Sequence, residues 1–327
     1  VRVLVCPDSF KGTFSAVEVA AALGAGIEEA GGAVDLCPAA DGGEGTAETV
    51  RAAIGGEART ASAHDPLGRA IEARFVLVEE GLTAVIDTAS ASGLPLVAPE
   101  ERDAEAASTY GTGELIAAAA DAGARRILLA AGGSATTDGG IGAIEALRGR
   151  GFDGRTGGIV LVVLCDVTTR FEDAAVVFGP QKGASAAAVE RLSARLGRIA
   201  GELPRDPRGV PMTGCAGGLS GGLWAAFGAE LRPGAEFVLD LLGFDERLEA
   251  ADAVVSGEGR IDPQSLEGKI VGQIADRCAA AGKPLHVVVG EDALDPAAAA
   301  TAGIASITEA ADPAALREAG RHLATPR

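Results

Sequence analysis

Within residues 256–272 the chain places Glu258, Arg260, Asp262 and Lys269 among four glycines. Carboxylates so close together suit a divalent cation or a proton, and the two basic side chains suit an anion. The glycines let backbone N–H groups approach that anion closely. An apolar run at 253–255 precedes the stretch and a helical pattern at 270–281 follows it. The expectation is a turn between a buried strand and a helix, the position at which open α/β sheets hold ligands. An ordinary solvated loop has the same composition, so this stretch decides nothing by itself.

Similar clusters recur along the chain. Asp8 and Lys11 follow an apolar run at 1–5, and Asp41 and Glu44 follow one at 33–37. Gly133, Ser134, Thr136 and Asp138 share a glycine-rich turn after a run at 127–131, and Asp166 closes a run at 159–164. Lys182 sits between Pro180 and Gly183 in a turn of its own. Several of these residues have a structural reading too: Asp8 and Asp41 suit helix N-caps, and Glu44 suits the positive end of a helix dipole. Lysine is scarce, four of 28 basic residues, and all four (Lys11, Lys182, Lys269 and Lys283) adjoin a glycine. A compact ammonium beside a glycine is well matched to a phosphate or carboxylate oxygen.

The elements that would position these groups alternate strand and helix at both chain ends. Ser15 and Glu18 form a capping box ahead of a stripe at Val17, Ala20, Leu23 and Ile27, and Thr46 is the expected N-cap of the next helix. In the middle, an alternating run at 70–78 and a second run at 82–87 predict a hairpin, hence an inserted antiparallel piece. Helices are expected over 108–122, after 185 and over 214–227. The fold class expected is α/β in two domains. Residues 1–60 and 246–327 would form a parallel-sheet domain and residues 61–245 an inserted mixed α/β domain, with a cleft as the default site.

Composition narrows the partners. The 327 residues carry a net charge of −18, which opposes binding to nucleic acid or an anionic membrane. No apolar run reaches the roughly 18 residues of a membrane span. Five scattered cysteines without a C-x-x-C pair predict buried free thiols, and with no leader visible at the N-terminus a cytoplasmic location is expected. The three histidines show no zinc spacing. No Walker loop is present and no G-x-G-x-x-G follows the first strand. What remains is loops rich in Gly, Asp, Glu, Lys, Ser and Thr, the groups that phosphoryl transfer needs to hold phosphates, a metal and a hydroxyl.

Six segments, in order and across nearly the whole chain, resemble the bacterial glycerate kinase family, the first of its unrelated types. They are 8–12 (DSFKG), 40–46 (ADGGEGT), 110–116 (YGTGELI), 132–140 (GGSATTDGG), 178–183 (FGPQKG) and 257–262 (GEGRID). The resemblance implies two α/β domains, one of them flavodoxin-like, and phosphorylation of D-glycerate with ATP and Mg²⁺, in bacterial members usually at the 2-hydroxyl. On that basis Lys11, Lys269 and Arg260 are expected to neutralise phosphates. Glu258 or Asp262, with Asp166 as a further candidate, would hold Mg²⁺, and Asp8 or Asp138 would accept the hydroxyl proton. Asp41, Glu44, Gly133, Ser134, Thr136 and Lys182 would bind glycerate or ATP. The chain departs from the family pattern at Thr137, where Asn is usual, at 168–170 in place of an Asn-Pro-Leu turn, and in a shortened 147–159 segment. Two other readings stay open: a kinase for another small hydroxy acid, and an inactive binding or regulatory homologue.

Overall fold

The computed structural model describes residues 1–10, 12–152 and 158–324. Its strands, in chain order, are β1 (Arg2–Val5), β2 (Ala33–Leu36), β3 (Glu57–His64), β4 (Ala70–Val78), β5 (Thr83–Asp87), β6 (Arg126–Ala130), β7 (Val160–Cys165), β8 (Glu230–Pro233), β9 (Ala253–Ile261), β10 (Leu285–Asp292) and β11 (Ile304–Glu309). The chain divides into two compact units. The first comprises Val1–Asp41, Ala52–Ile54 and Ala235–Arg327, and the second Gly42–Arg51 and Gly55–Gly234.

The first unit holds a five-stranded parallel sheet in the order β11-β10-β9-β1-β2. Numbered within the unit, this is the flavodoxin-like order, whose switch point falls between β1 and β9. Val3, Val5, Val255 and Val288 are buried at its centre, beneath helix Ala16–Glu29. The capping box forms as expected, with Ser15 Oγ accepting from Glu18 N and the Glu18 carboxylate accepting from Ser15 N. The helix buries Val19, Leu23 and Ile27, so the core-facing stripe runs through Val19 rather than the expected Val17. Full burial of such side chains stabilises by about 1.5–3 kcal/mol each.

The second unit holds a six-stranded mixed sheet, β3-β4-β5-β6-β7-β8, antiparallel in its first three strands and parallel from β5 onward. The hairpin of β4 and β5 matches the expectation, and β3 extends it. Ile86, Leu115, Ile127, Leu129, Val163 and Leu219 fill one face. Helix Cys215–Phe227 opens irregularly: Ala216, Gly217 and Gly218 are all left-handed. For Ala216 (φ 50°, ψ 42°) that conformation costs about 1–2 kcal/mol.

Residues 256–261 are not a turn. They continue β9, because β10 continues beside them as far as the Ile261–Asp292 pair and its backbone groups need partners. Gly257 fits there because a Cβ would lie 2.3 Å from the Val288 carbonyl oxygen. Helix Thr46–Ile54 begins at Gly45 (φ 90°) rather than with Thr46 as its cap. The shortened 147–159 segment falls partly on residues 153–157, outside the described residues.

Candidate functional site

In the first unit the chain leaving β1 stays beside β9. Cys6 N donates to the Val255 carbonyl at 2.7 Å and Asp8 N to the Gly257 carbonyl at 2.8 Å. These bonds fix Asp8 at the switch point next to Glu258. A cavity of about 450 Å³ opens there, and its walls include Asp8, Asp41, Glu258, Arg260 and Lys269. The volume lies in the usual range for ligand pockets, roughly 300–1,000 Å³. Lys269 stands at the N-terminus of helix Ile270–Ala281, after Gly268 at φ 79°, with no side chain capping that helix end. The helix dipole and the ammonium therefore favour an anion at the same place. Arg260 faces Glu291, its register neighbour on β10, at 3.4 Å; both are more than half exposed, so the pair leaves the guanidinium available to a ligand. Sequence reading missed Glu291 as a wall of this cavity, since it lies two residues beyond the apolar part of β10.

The Asp262 carboxylate is engaged within its own turn. Its carboxylate accepts from Gln264 N at 2.9 Å and Ser265 N at 3.3 Å, and Ser265 Oγ accepts from Asp262 N. It caps the short turn Pro263–Leu266 and does not line the cavity. Asp262→Ala is therefore expected to lower stability by about 0.5–2 kcal/mol, and Asp262→Asn by much less. Thermal unfolding and kcat measured on both variants check this. A hundredfold loss of kcat in Asp262→Asn would return the residue to the metal site.

Among the described residues no three His, Cys, Asp or Glu side chains converge to hold a metal by themselves. The carboxylates on the cavity wall nonetheless fit Mg²⁺, which usually takes one or two carboxylates and completes its octahedron with phosphate oxygens and water.

The second unit has a separate, smaller cavity of about 90 Å³ beyond the C-terminal ends of β6 and β7, whose walls include Gly133, Ser134, Asp166, Phe178, Lys182 and Ala216. Lys182 is only 3% exposed. Its Nζ donates to Ser134 Oγ at 3.0 Å and to the Thr136 carbonyl at 2.5 Å, and lies 6.0 Å from the Phe178 ring centroid. Burial pushes the Lys182 ammonium down to about 7, against the pull of the Asp138 charge. The Thr136 and Thr137 hydroxyls are buried and find no hydrogen-bond partner among the described residues.

Asp138 is buried at 1% exposure and does not line this cavity. Its Oδ2 accepts from Thr109 N (2.9 Å), Thr109 Oγ1 (2.8 Å) and Gly142 N (3.2 Å), and its Oδ1 from Gly140 N (3.0 Å). It thereby joins the starts of helices Tyr110–Asp121 and Ile141–Gly149. Glu44 lies over the glycine turn: a Cβ on Gly132 would meet Gly43 Cα at 2.6 Å, and one on Gly133 would meet Glu44 Oε2 at 2.7 Å. The loop that carries Glu44 is held by Asp87, which sequence reading missed. The Asp87 carboxylate accepts from Gly45 N (3.1 Å) and Ala47 N (3.0 Å), the cap that Gly45 cannot supply. Burial raises this carboxyl to about 6, opposed by those two amides. Its position as the last residue of β5 was the available signal. Lys11 lies outside the described residues.

Among the described residues no helix is long and apolar enough to cross a membrane. Comparison with known proteins places these features. The model of the Glycerate kinase family matches residues 3–159 and 149–325, two stretches that overlap at 149–159. The chain is 37% identical over 323 residues to glycerate 2-kinase of Escherichia coli (strain K12), covering 88% of this chain and 85% of that one. It is 38% identical over 305 residues to glycerate kinase of Bacillus subtilis (strain 168), covering 82% and 79%. A crystal structure from Salmonella typhimurium LT2, provisionally described as glycerate kinase 2, superposes with a TM-score of 0.86 at 34% identity, over 99% of this chain and 97% of that one. Its similarity extends to the two-unit α/β architecture described above.

Proposed function

The chain belongs to the glycerate kinase family of phosphotransferases, and on that premise we propose that it phosphorylates D-glycerate at the 2-hydroxyl with ATP, giving 2-phosphoglycerate and ADP. The observation that carries the reading is the first unit's cavity. It combines Asp8, Glu258 and Lys269 with an uncapped helix N-terminus at the switch point of a parallel sheet. In this reading Lys269, Arg260 and the helix N-terminus take the phosphates, with Lys11 as a further contact. Glu258, with Asp41, supplies carboxylate oxygens to Mg²⁺, whose chemistry is to neutralise charge on the phosphoryl oxygens. Asp8 orients the substrate hydroxyl and accepts its proton as the new P–O bond forms and the bond to the ADP oxygen breaks. The Thr109, Gly140 and Gly142 donors occupy Asp138, so the proposal gives it no proton to take.

A second reading, a kinase for another small hydroxy acid, is favoured by the departures at Thr137 and 168–170. An ADP-release assay across glycerate, tartronate and lactate separates the two. Glycerate is expected to give the highest kcat/KM, and phosphorus NMR of the product should show the phosphate on the 2-position. A 3-phosphate product, or a clear preference for another acid, would overturn the reading. No ADP release with any acid would leave the inactive homologue.

A further inference from the structure

Four of the five buried thiols stand in contact as two pairs. In the first unit, Cys6 and Cys37 follow the neighbouring parallel strands β1 and β2. The ladder runs on past both strand ends, since Cys37 N donates to the Val5 carbonyl and Ala39 N to the Pro7 carbonyl, each at 2.9 Å. Those two bonds set Cys6 opposite Cys37; the return bond is missing because Pro7 has no N–H. Neighbouring strands lie about 4.7–4.9 Å apart, inside the roughly 4.4–6.8 Å between Cα atoms that a disulfide spans. The Cys6 thiol donates to the Cys37 sulfur, and that bond, followed by the Arg247 guanidinium, holds the Cys37 thiol below its ordinary range against burial and the Asp35 charge. Burial, reinforced by the same bond, keeps Cys6 above its range. Cys278, the third thiol of this unit, is pushed up to about 12 by burial. The pair in the second unit is engaged with backbone instead. Cys165 Sγ donates to the Val163 and Met212 carbonyls at 3.7 Å, and Cys215 Sγ to the Val167 carbonyl at 3.3 Å. We propose that Cys6 and Cys37 are an oxidation site at which a hydroperoxide closes a disulfide across the ends of β1 and β2, lowering the activity of the cavity beside it.

The Cys37 thiolate attacks one oxygen of the peroxide and the O–O bond breaks. Cys37 becomes a sulfenic acid, and the second oxygen leaves as water or an alcohol after taking a proton from solvent. The Cys6 sulfur then attacks the Cys37 sulfur, the S–OH bond breaks, and the hydroxyl leaves as water with the Cys6 proton. The two sulfurs together lose two electrons, and the peroxide takes them up. Both side chains are at 0% exposure, so the peroxide enters when β2 opens. That strand is a four-residue edge strand whose Leu36 is 43% exposed, and such elements open at a fraction of the global unfolding cost. Sulfurs in hydrogen-bond contact must then close to about 2.05 Å. Asp8 lies two residues past Cys6 and Asp41 four past Cys37, both carboxylates are on the cavity wall, and the Ala39–Pro7 bond ties the two segments together. Drawing the strand ends together therefore displaces both carboxylates. The thiol chemistry needs no activity of the chain; its effect on turnover rests on the phosphotransferase reading above.

The test treats the reduced protein with a small excess of hydrogen peroxide and maps the product with trypsin, without reduction. Cleavage after Arg2, Lys11 and Arg51 puts Cys6 in peptide 3–11 and Cys37 in peptide 12–51, so the disulfide joins two separate peptides. The expected result is that linked pair, loss of two of the five free thiols, and return of both with dithiothreitol. In Cys6→Ala the sulfenic acid on Cys37 has no partner and should be trapped by dimedone, whereas Cys37→Ala should give no adduct at Cys6. Turnover in the ADP-release assay should fall at least about tenfold on oxidation of the wild type, recover with dithiothreitol, and fall less than about twofold in Cys37→Ala. Five free thiols after a treatment that fully oxidises glutathione in the same tube overturn the proposal, a result that needs no variant to fold. So does a bond joining Cys6 to Cys278, or Cys165 to Cys215, in place of the expected pair. Linked 3–11 and 12–51 peptides with unchanged turnover overturn the effect on the cavity. The peptide map and the thiol count do not depend on turnover, so a reduced protein that releases no ADP removes the kinase reading alone.

Discussion

Asp8→Asn is expected to lower kcat by about 10²–10⁴-fold with little change in thermal stability. The carboxylate lies on the wall of the first unit's cavity, and its Oδ1 accepts from Ser9 N, a bond that the amide oxygen of Asn can also accept. Asp8's own N–H donates to the Gly257 carbonyl whatever its side chain, so the substitution leaves the β1–β9 junction in place. What it removes is the negative charge and, with it, the capacity to take a proton. The measurement is steady-state kcat at saturating ATP and glycerate, with the thermal midpoint of the same sample. A kcat within about threefold of wild type would remove Asp8 as the base, and Asp41 on the same wall would become the next residue to test.

The second large effect is on stability. Asp138→Leu is expected to destabilise the second unit by about 3–5 kcal/mol, because it strands donors in a site only 1% exposed. Asp138→Asn should cost less, about 1–2 kcal/mol. An amide oxygen at the Oδ2 position keeps Thr109 and Gly142, while its NH₂ faces Gly140 N. Trp224, the single tryptophan, lies in the same unit with Arg205 4.0 Å from its ring, so its fluorescence in urea reports the unfolding directly. The Asn variant also separates the two roles that the sequence left open for Asp138. A structural carboxylate loses stability and keeps most of kcat; a catalytic base loses kcat by orders of magnitude. The second outcome would contradict the role the hydrogen bonds give it.

Some of this was visible in the sequence because it rests on local chemistry. The Ser15–Glu18 capping box, the β4–β5 hairpin and helix Ile270–Ala281 depend on residues within a few positions of each other, and all three formed. The five buried free thiols likewise follow from cysteines set in or beside apolar runs. The strand β3 was not legible: Glu57–His64 is mostly polar or small and largely exposed, and it is a strand because β4 pairs with it along its whole length. For the same reason the charged stretch after Ala253–Val255 looked like a turn until β10 was known to lie beside it.

The sequence alone determined which side chains are available for chemistry and that they gather at the ends of strands, since turn residues and apolar periodicity are short-range properties. Only the tertiary structure decided which of them face a cavity. Asp138, Asp262 and Lys182 look alike in the sequence, three charged residues in glycine-rich turns. The first is consumed by donors from Thr109, 29 positions away, the second by its own turn, and the third is left in a cavity wall with Ser134 and Thr136, 48 and 46 positions away. Partners that distant in the chain are brought together by packing, and no local pattern records them.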